Sequence, residues 1–199
     1  MFECPIFNCT DVGTQAERIQ LKNTLYKTKE SQLADSNFGC ERYKVQPRII
    51  PWLTSKIRYG MTQIVINSSP QYQELLDNAG YDEKKNPIQD CWVNFNSPGA
   101  RNELHCHEKA QFTAVYFLEA KPNSGQLVLK HPANVTNQCH PAAPGVQDII
   151  IEPLEGGLII FPGWVPHEVW INNSGAERIS LAFNINIVEQ APYLNKGGV

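Results

Sequence analysis

The feature that most constrains the fold is a train of short β-rich runs that begins at Asp90 and is never interrupted by a helical pattern. "DCWVNFN", "QFTAVYFLE", "GQLVLK", "VQDIIIE", "GLIIF", "HEVWIN" and "RISLAFNINI" follow one another, separated by Gly, Pro and Asn. Seven such runs without crossover helices argue against a parallel α/β sheet and predict a sandwich or barrel. The last run alternates cleanly. Ile179, Leu181, Phe183, Ile185 and Ile187 share one face, and Arg178, Ser180, Ala182, Asn184 and Asn186 share the other. The first is a core face. The second is either a surface or a pocket wall, because the planar fork of an arginine can take a carboxylate bidentately and a serine hydroxyl can join the same anion.

The first eighty or so residues read differently. Thr14 and Glu17 have capping-box spacing ahead of "RIQLKNTLYK", and Ser69-Pro70 can cap and begin a second helix, "QYQELLDNAG", that closes on Gly80. Between them, "SQLADSNFGCERYKVQPRI" is rich in turn formers, and "TQIVIN", Thr62 to Asn67, reads as a short strand. The expected organisation is one domain over 1–199, with a mixed helical support at 1–89 and a β core at 90–190. The segment 132–145, "PANVTNQCHPAAPG", is the longest break and has the length of a binding loop or lid.

Composition narrows the partners. Seventeen Lys+Arg against twenty Asp+Glu leave a net charge of −3, which gives no general attraction to nucleic acid or to an anionic membrane. No apolar run approaches the roughly 18 residues that cross a bilayer, and the start "MFECPIFNCT" lacks the pattern of a secretory leader. A soluble cytoplasmic protein is expected, its six cysteines mostly reduced since none forms a CxxC pair, and its sequons at Asn134 and Asn172 unused. The substrate is then a small molecule or a peptide or protein. A monomer and a homodimer built through the N-terminal helices are equally compatible with the sequence.

Two of the five histidines stand one residue apart in "ELHCHEKAQ". On a strand, i and i+2 point to the same face, so His105 and His107 would stand side by side. His167 begins a later strand behind the turn "PGWVPH", and Arg178 follows eleven residues on. His131 and His140 fall in loops. The spacing alone is equally that of two exposed strand histidines.

In this order, the motifs resemble the iron(II)/2-oxoglutarate-dependent oxygenases, whose usual pattern is HxD or HxE, then H, then R. More closely, "WVNFNSPGARNELHCHEKAQFTAVYFLE", "SGQLVLKHP", "GGLIIFPGWVPHEV" and "RISLAFNINI" resemble the 2-oxoglutarate/iron(II) oxygenase family of marine bacteria and cyanophages, over about 90–188. The resemblance implies a mainly β double-stranded β-helix, or jelly roll, with Fe(II) at its open end. His105 matches the first metal ligand, His167 the distal one, and Arg178 with Ser180 the binders of the far carboxylate of 2-oxoglutarate. His107 falls where the carboxylate ligand usually stands. Three arrangements follow: His107 coordinates directly, it stands behind a water, or Glu103, on the same strand face as His105, supplies the carboxylate. The i, i+2 spacing favours His107.

Other residues have two readings each. Trp92, Asn94 and Asn96 share a face of a strand that lines the site in the resembling family, so Asn94 and Asn96 either bind cosubstrate or substrate or serve as structural hydrogen-bonding groups. Tyr116 either reaches the 2-oxoglutarate carboxylate or packs in a half-buried strand. Trp164 and Trp170 are packing or pocket wall.

The resulting expectation is an Fe(II)-dependent dioxygenase that consumes O2 and 2-oxoglutarate, releases succinate and CO2, and hydroxylates a small-molecule or peptidyl, including prolyl, substrate. The competing enzyme is a three-histidine cupin-type dioxygenase without cosubstrate, which gives Arg178 no role. From another class comes a non-catalytic jelly-roll binding module, in which the histidines are incidental.

Overall fold

The computed structural model describes residues 4–70, 73–74, 88–131 and 148–187. All seven predicted runs are strands: β4 (Ile88–Asn96), β6 (Phe112–Glu119), β7 (Leu127–Leu129), β8 (Ile149–Ile151), β9 (Leu158–Pro162), β10 (His167–Val169) and β11 (Arg178–Ile185). To these the chain adds β1 (Phe7–Cys9), β2 (Asp35–Asn37), β3 (Cys40–Lys44) and β5 (Asn102–His105).

They form a seven-stranded sheet, ordered β1-β9-β6-β11-β4-β3-β2, and a four-stranded sheet, β5-β10-β7-β8. Every strand pairing in both sheets is antiparallel. The sheets meet through Phe117, Ile159 and Phe161 on one side and Leu127, Leu129 and Val169 on the other. This is the expected mainly β, double-stranded β-helix architecture.

The other face of the large sheet carries the bigger core. Ile179, Leu181, Phe183, Ile185 and Ile187, the alternating apolar set of β11, pack there with Val93, Phe95 and the helices. Helix α1 (Gln15–Ser31) starts on the predicted capping box, Thr14 Oγ1 accepting from the Glu17 N–H while the Glu17 carboxylate accepts from the Thr14 N–H. It buries only Leu21 and Leu25, and it is tied to the sheet by ion pairs of Lys22 with Glu119 and of Lys29 with Glu41 and Glu177.

Helix α2 (Pro51–Asn67) corrects a local reading: "TQIVIN" is its C-terminal part rather than a strand. Its β-branched residues favour a strand locally, but Leu53, Ile57, Met61 and Ile64 recur at helical spacing and are buried against the large sheet, and Pro51 opens the first turn. Burial of each such side chain contributes roughly 1.5–3 kcal/mol, more than any local propensity difference. Of the second predicted helix, Pro70, Gln73 and Glu74 are helical, and the remainder lies outside the described residues, as do the segment 132–145 and His140.

The turn-rich stretch between the helices holds a finding the sequence did not give away. β2 and β3 form a hairpin whose two central residues, Phe38 and Gly39, both have positive φ, and β3 extends the large sheet beyond β4. That hairpin becomes one rim of the site.

Candidate active site

A cavity of about 350 Å3 opens between the two sheets. Its walls come from β3, β4, β5, β6, β10 and β11, and its lining includes His105, His107, His167, Arg178 and Ser180.

The histidines arrive from three places. β5 ends at His105, which pairs directly with His167 of β10. His107 is not on that strand: it sits in the crossover to β6 of the other sheet, where its N–H donates to the Gly163 carbonyl at 2.8 Å and its carbonyl accepts from the Ala110 N–H at 3.0 Å. The expected strand face shared by His105 and His107 is therefore lost, yet their rings stack at 5.3 Å between centroids. The His167 ring lies 4.3 Å from that of His105 and 5.1 Å from that of His107. One ring nitrogen of each lies within 4.8 Å of the others, a spacing that fits a single metal ion.

Each imidazole is oriented by its Nδ1. That of His105 meets the Glu103 carbonyl at 2.7 Å, that of His167 the Val165 carbonyl at 2.9 Å, and that of His107 the Asn184 Oδ1 at 2.6 Å. Burial, reinforced by the neighbouring histidines, pulls His167 down to about 3, and burial likewise lowers His107. Both rings are neutral at neutral pH and keep a lone pair for a cation. Trp92 stacks on His107 at 5.6 Å and Phe161 meets His167 edge-on at 5.0 Å, so packing holds the rings as well.

Glu103 does not enter the cluster. Its carboxylate faces Arg101 at 3.5 Å and is largely exposed, which removes it as the third ligand in this arrangement. Glu168 turns away to Lys130 at 2.8 Å.

Arg178 is 2 % exposed. Its Nη1 donates to the carbonyls of Ser124 and Gly125 at 3.3 and 2.9 Å, and its Nη2 donates to Asn96 Oδ1 at 2.8 Å. Among the described residues it has no carboxylate partner, and its Nε is buried without any acceptor. Desolvation lowers it to about 10, so it remains a cation at neutral pH. A buried, uncompensated charge with an unused donor is costly unless an anion completes it.

The remaining predicted residues separate. Ser180 is buried and lines the cavity beside Arg178, and Asn94 lines it from β4. Asn96 instead holds Arg178, while its Nδ2 donates to Asn102 Oδ1 at 3.1 Å and its own carbonyl accepts from Asn172 Nδ2 at 2.9 Å. Tyr116 is a correction. It is fully buried on the helix side of the large sheet, donates to the Val12 carbonyl at 2.8 Å, packs edge-on against Trp52, and has no access to the cavity. Trp164 and Trp170 are exposed and neither lines the cavity.

Sequence reasoning missed the rim residues Asn37, Phe38, Cys40 and Arg42, which come from the unrecognised hairpin. It also missed Asn172, whose buried amide clamps the turn before β11 by donating to Ala176 and accepting from Ser174.

The two antiparallel sheets with a three-histidine cluster lining the cavity between them define the class of double-stranded β-helix proteins with a candidate metal site. Residues 90–184 match the family described as "Putative 2OG-Fe(II) oxygenase". No curated protein matches the chain in sequence.

Among solved structures the chain is similar to a prolyl-4-hydroxylase of Pseudomonas putida, with 17% identity, TM-score 0.59, and 92% of each chain covered. It is also similar to the viral collagen prolyl hydroxylase of Paramecium Bursaria Chlorella virus-1 in its 2OG complex, with 16% identity, TM-score 0.58, and 93% of this chain and 97% of that one covered. A third is a Trichoplax adhaerens prolyl hydroxylase in complex with a hypoxia inducible factor peptide fragment, with 15% identity, TM-score 0.60, and 92% and 84% covered.

The residues fit the two cofactors of the family. Three converging imidazoles suit Fe(II), and a buried guanidinium with an unused donor suits a dicarboxylate. The protein is an Fe(II)- and 2-oxoglutarate-dependent oxygenase.

Proposed function

We propose that His105, His107 and His167 hold the iron, that Arg178 and Ser180 hold the distal carboxylate of 2-oxoglutarate, and that the enzyme hydroxylates a peptidyl substrate in the cytoplasm. The observation that carries the cosubstrate assignment is the unpartnered Nε of Arg178, buried in the wall of the cavity that contains the histidines. When bound, Fe(II) and 2-oxoglutarate supply the oxidising chemistry: O2 reduction is coupled to decarboxylation of the cosubstrate to succinate and CO2, with one oxygen atom delivered to a substrate C–H bond.

The chain supplies placement. Arg178 is pre-aimed by the Ser124 and Gly125 carbonyls and by Asn96, so little side-chain freedom is lost when a carboxylate docks. Ser180 adds a hydroxyl beside it. Val115, Phe117 and Leu127 line the same cavity and keep it partly dry, which strengthens the Arg178–carboxylate attraction.

A peptidyl substrate suits the rim. Asn37, Asn94 and Asn102 offer amide partners beside Phe38 and Leu104, and Arg101 lies over the Phe38 ring at 4.5 Å. An adjoining groove shares Arg101 to Leu104 with the cavity and runs past Trp170 and Ile171. The prolyl hydroxylases among the structural neighbours make prolyl peptides the first class to screen.

Anaerobic visible absorption tests the reading. Titrating the metal-free protein with Fe(II) and then 2-oxoglutarate should produce a charge-transfer band that needs both additions, vanishes in His167→Ala, and needs more 2-oxoglutarate in Arg178→Ala. Iron binding without the band would remove 2-oxoglutarate and favour a cosubstrate-free dioxygenase. Prolyl peptides that gain no oxygen under mass spectrometry would turn the search to small molecules.

A further inference from the structure

A histidine two positions after the first ligand can bind a metal only if the proton sits on the right nitrogen, and the chain must settle that without a carboxylate. Histidine has two neutral tautomers, and whichever nitrogen carries the proton has no lone pair to give. For His105 and His167 the backbone decides. Their Nδ1 atoms face the carbonyls of Glu103 and Val165, which can only accept, so Nδ1 carries the proton and Nε2 is free. For His107 the partner is a side-chain amide, Asn184, whose oxygen can accept and whose nitrogen can donate. Its orientation is therefore a switch: oxygen towards the ring frees Nε2, and nitrogen towards the ring leaves the proton on Nε2.

We propose that Asn184 is the positioning residue that makes His107 a metal ligand, by presenting Oδ1 to Nδ1–H at 2.6 Å and so fixing the ring in its metal-binding tautomer. The proposal rests on the reading of His107 as third ligand. Asn184 does not touch the ion; it acts through the imidazole, as an outer carboxylate or carbonyl does behind a metal-bound histidine.

Three further observations support it. Asn184 belongs to β11, paired on both sides with Thr113 of β6 and Asp90 of β4, so its Cα is held rigidly. It lies on the same strand face as Arg178 and Ser180, which ties the tautomer of one site and the anion pocket of the other to one strand. The stacked Trp92 restricts the other freedom of His107, rotation of the ring.

The test uses the full chain in metal-free, 15N-labelled form, with long-range 1H–15N correlation to read the tautomer of each ring at neutral pH, and calorimetric titration with Ni(II) for affinity. In the wild type all three rings should be Nδ1–H. In Asn184→Leu, His107 alone should move to a mixture or to Nε2–H, and Ni(II) affinity should fall about 10- to 100-fold. Asn184→Asp, which retains the acceptor, should restore the tautomer and keep affinity at or above wild type.

A wild-type His107 in the Nε2–H form, or Asn184→Leu with unchanged tautomer and affinity, would overturn the role of Asn184. His107→Ala separates the two levels. If it binds Ni(II) like wild type, His107 is no ligand and the underlying reading fails; if it loses affinity while Asn184→Leu does not, only the role of Asn184 fails. Unchanged His105 and His167 signals in Asn184→Leu certify that the variant is folded, and a variant that perturbs all three rings would replace tautomer control by a merely structural role.

Discussion

The guanidinium of Arg178 and the amide of Asn96 meet at 2.8 Å in the interior of the protein, both almost fully buried and carried by adjacent strands in direct register, Arg178 opposite Asn96. On the proposed reading of Arg178, Asn96 supports the guanidinium and does not itself line the cavity. Asn96→Ala removes one acceptor from a buried cation and should cost about 1–3 kcal/mol in denaturant unfolding. It should also raise the 2-oxoglutarate needed for half-saturation several-fold while leaving Ni(II) affinity unchanged. Unaltered 2-oxoglutarate binding would show that the Ser124 and Gly125 carbonyls suffice to aim Arg178.

The histidine cluster makes the metal-free protein sensitive to acid. His167 titrates at 6.5 in an unfolded chain and at about 3 when folded, so the unfolded state holds the extra proton between these values. Stability is fully present above 6.5 and is lost as pH falls towards 3. One such proton gives a slope of about 1.4 kcal/mol per pH unit, and His107, also lowered by burial, adds in the same direction. Denaturant unfolding in chelator between pH 6.5 and 5 reads the slope before most carboxylates titrate, and His167→Gln should reduce it by one proton. A flat wild-type profile would mean that the rings are more hydrated than their burial indicates.

Which parts of this architecture the sequence disclosed follows from the range of the signals. β11 is legible because its alternation is complete over eight residues, which marks its apolar face as a core face without reference to any partner strand. β6 is buried on both faces, so alternation gave no side for Tyr116, and its hydroxyl turned out to serve Val12. Thr62 to Asn67 looked like a strand because six residues are too short a window to reveal a period that spans the whole of α2. β2 is exposed and polar throughout, with no pattern to read. The contact of His107 with Asn184 joins residues 77 positions apart and two sheets' worth of topology, which no local pattern encodes.

The two faces of β11 should respond oppositely to truncation. Leu181 is fully buried in the larger core, and Leu181→Ala should cost about 2–5 kcal/mol with little change in 2-oxoglutarate affinity in the folded fraction. Ser180, its neighbour on the cavity face, has no hydrophobic payload, so Ser180→Ala should leave the unfolding midpoint nearly unchanged and weaken 2-oxoglutarate binding. A large loss of stability in Ser180→Ala would place that hydroxyl in the scaffold and leave Arg178 alone at the anion.

Metal binding should be visible as stabilisation. An ion held only by the folded state at a hundred times its dissociation constant contributes about 2.7 kcal/mol. For a chain of this size that raises Tm by roughly 5–10 °C. Ni(II) or Co(II) should give this shift in the wild type, and His167→Ala, which removes the buried member of the cluster, should abolish it. Equal shifts in both proteins would assign the ion to another site.

Gly125 tests how tightly the arginine pocket is built. It lies at φ +94, where a side chain is strained, and an added Cβ would approach the Trp170 carbonyl oxygen to 2.2 Å and Arg178 Nη1 to 3.4 Å. Gly99, at φ +83, has nothing within 4 Å of the same position. Gly99→Ala therefore reports strain alone, about 1–2 kcal/mol. Gly125→Ala adds a clash with backbone that cannot rotate away, so it should cost clearly more in unfolding free energy. Because the Gly125 carbonyl also accepts from Arg178, the displaced loop should carry the guanidinium with it and raise the 2-oxoglutarate requirement, which Gly99→Ala leaves unchanged. Equal stability losses in the two variants would mean that the turn before β7 yields to accommodate the methyl group, and a normal 2-oxoglutarate requirement in Gly125→Ala would then show that Asn96 and Ser124 fix Arg178 without it.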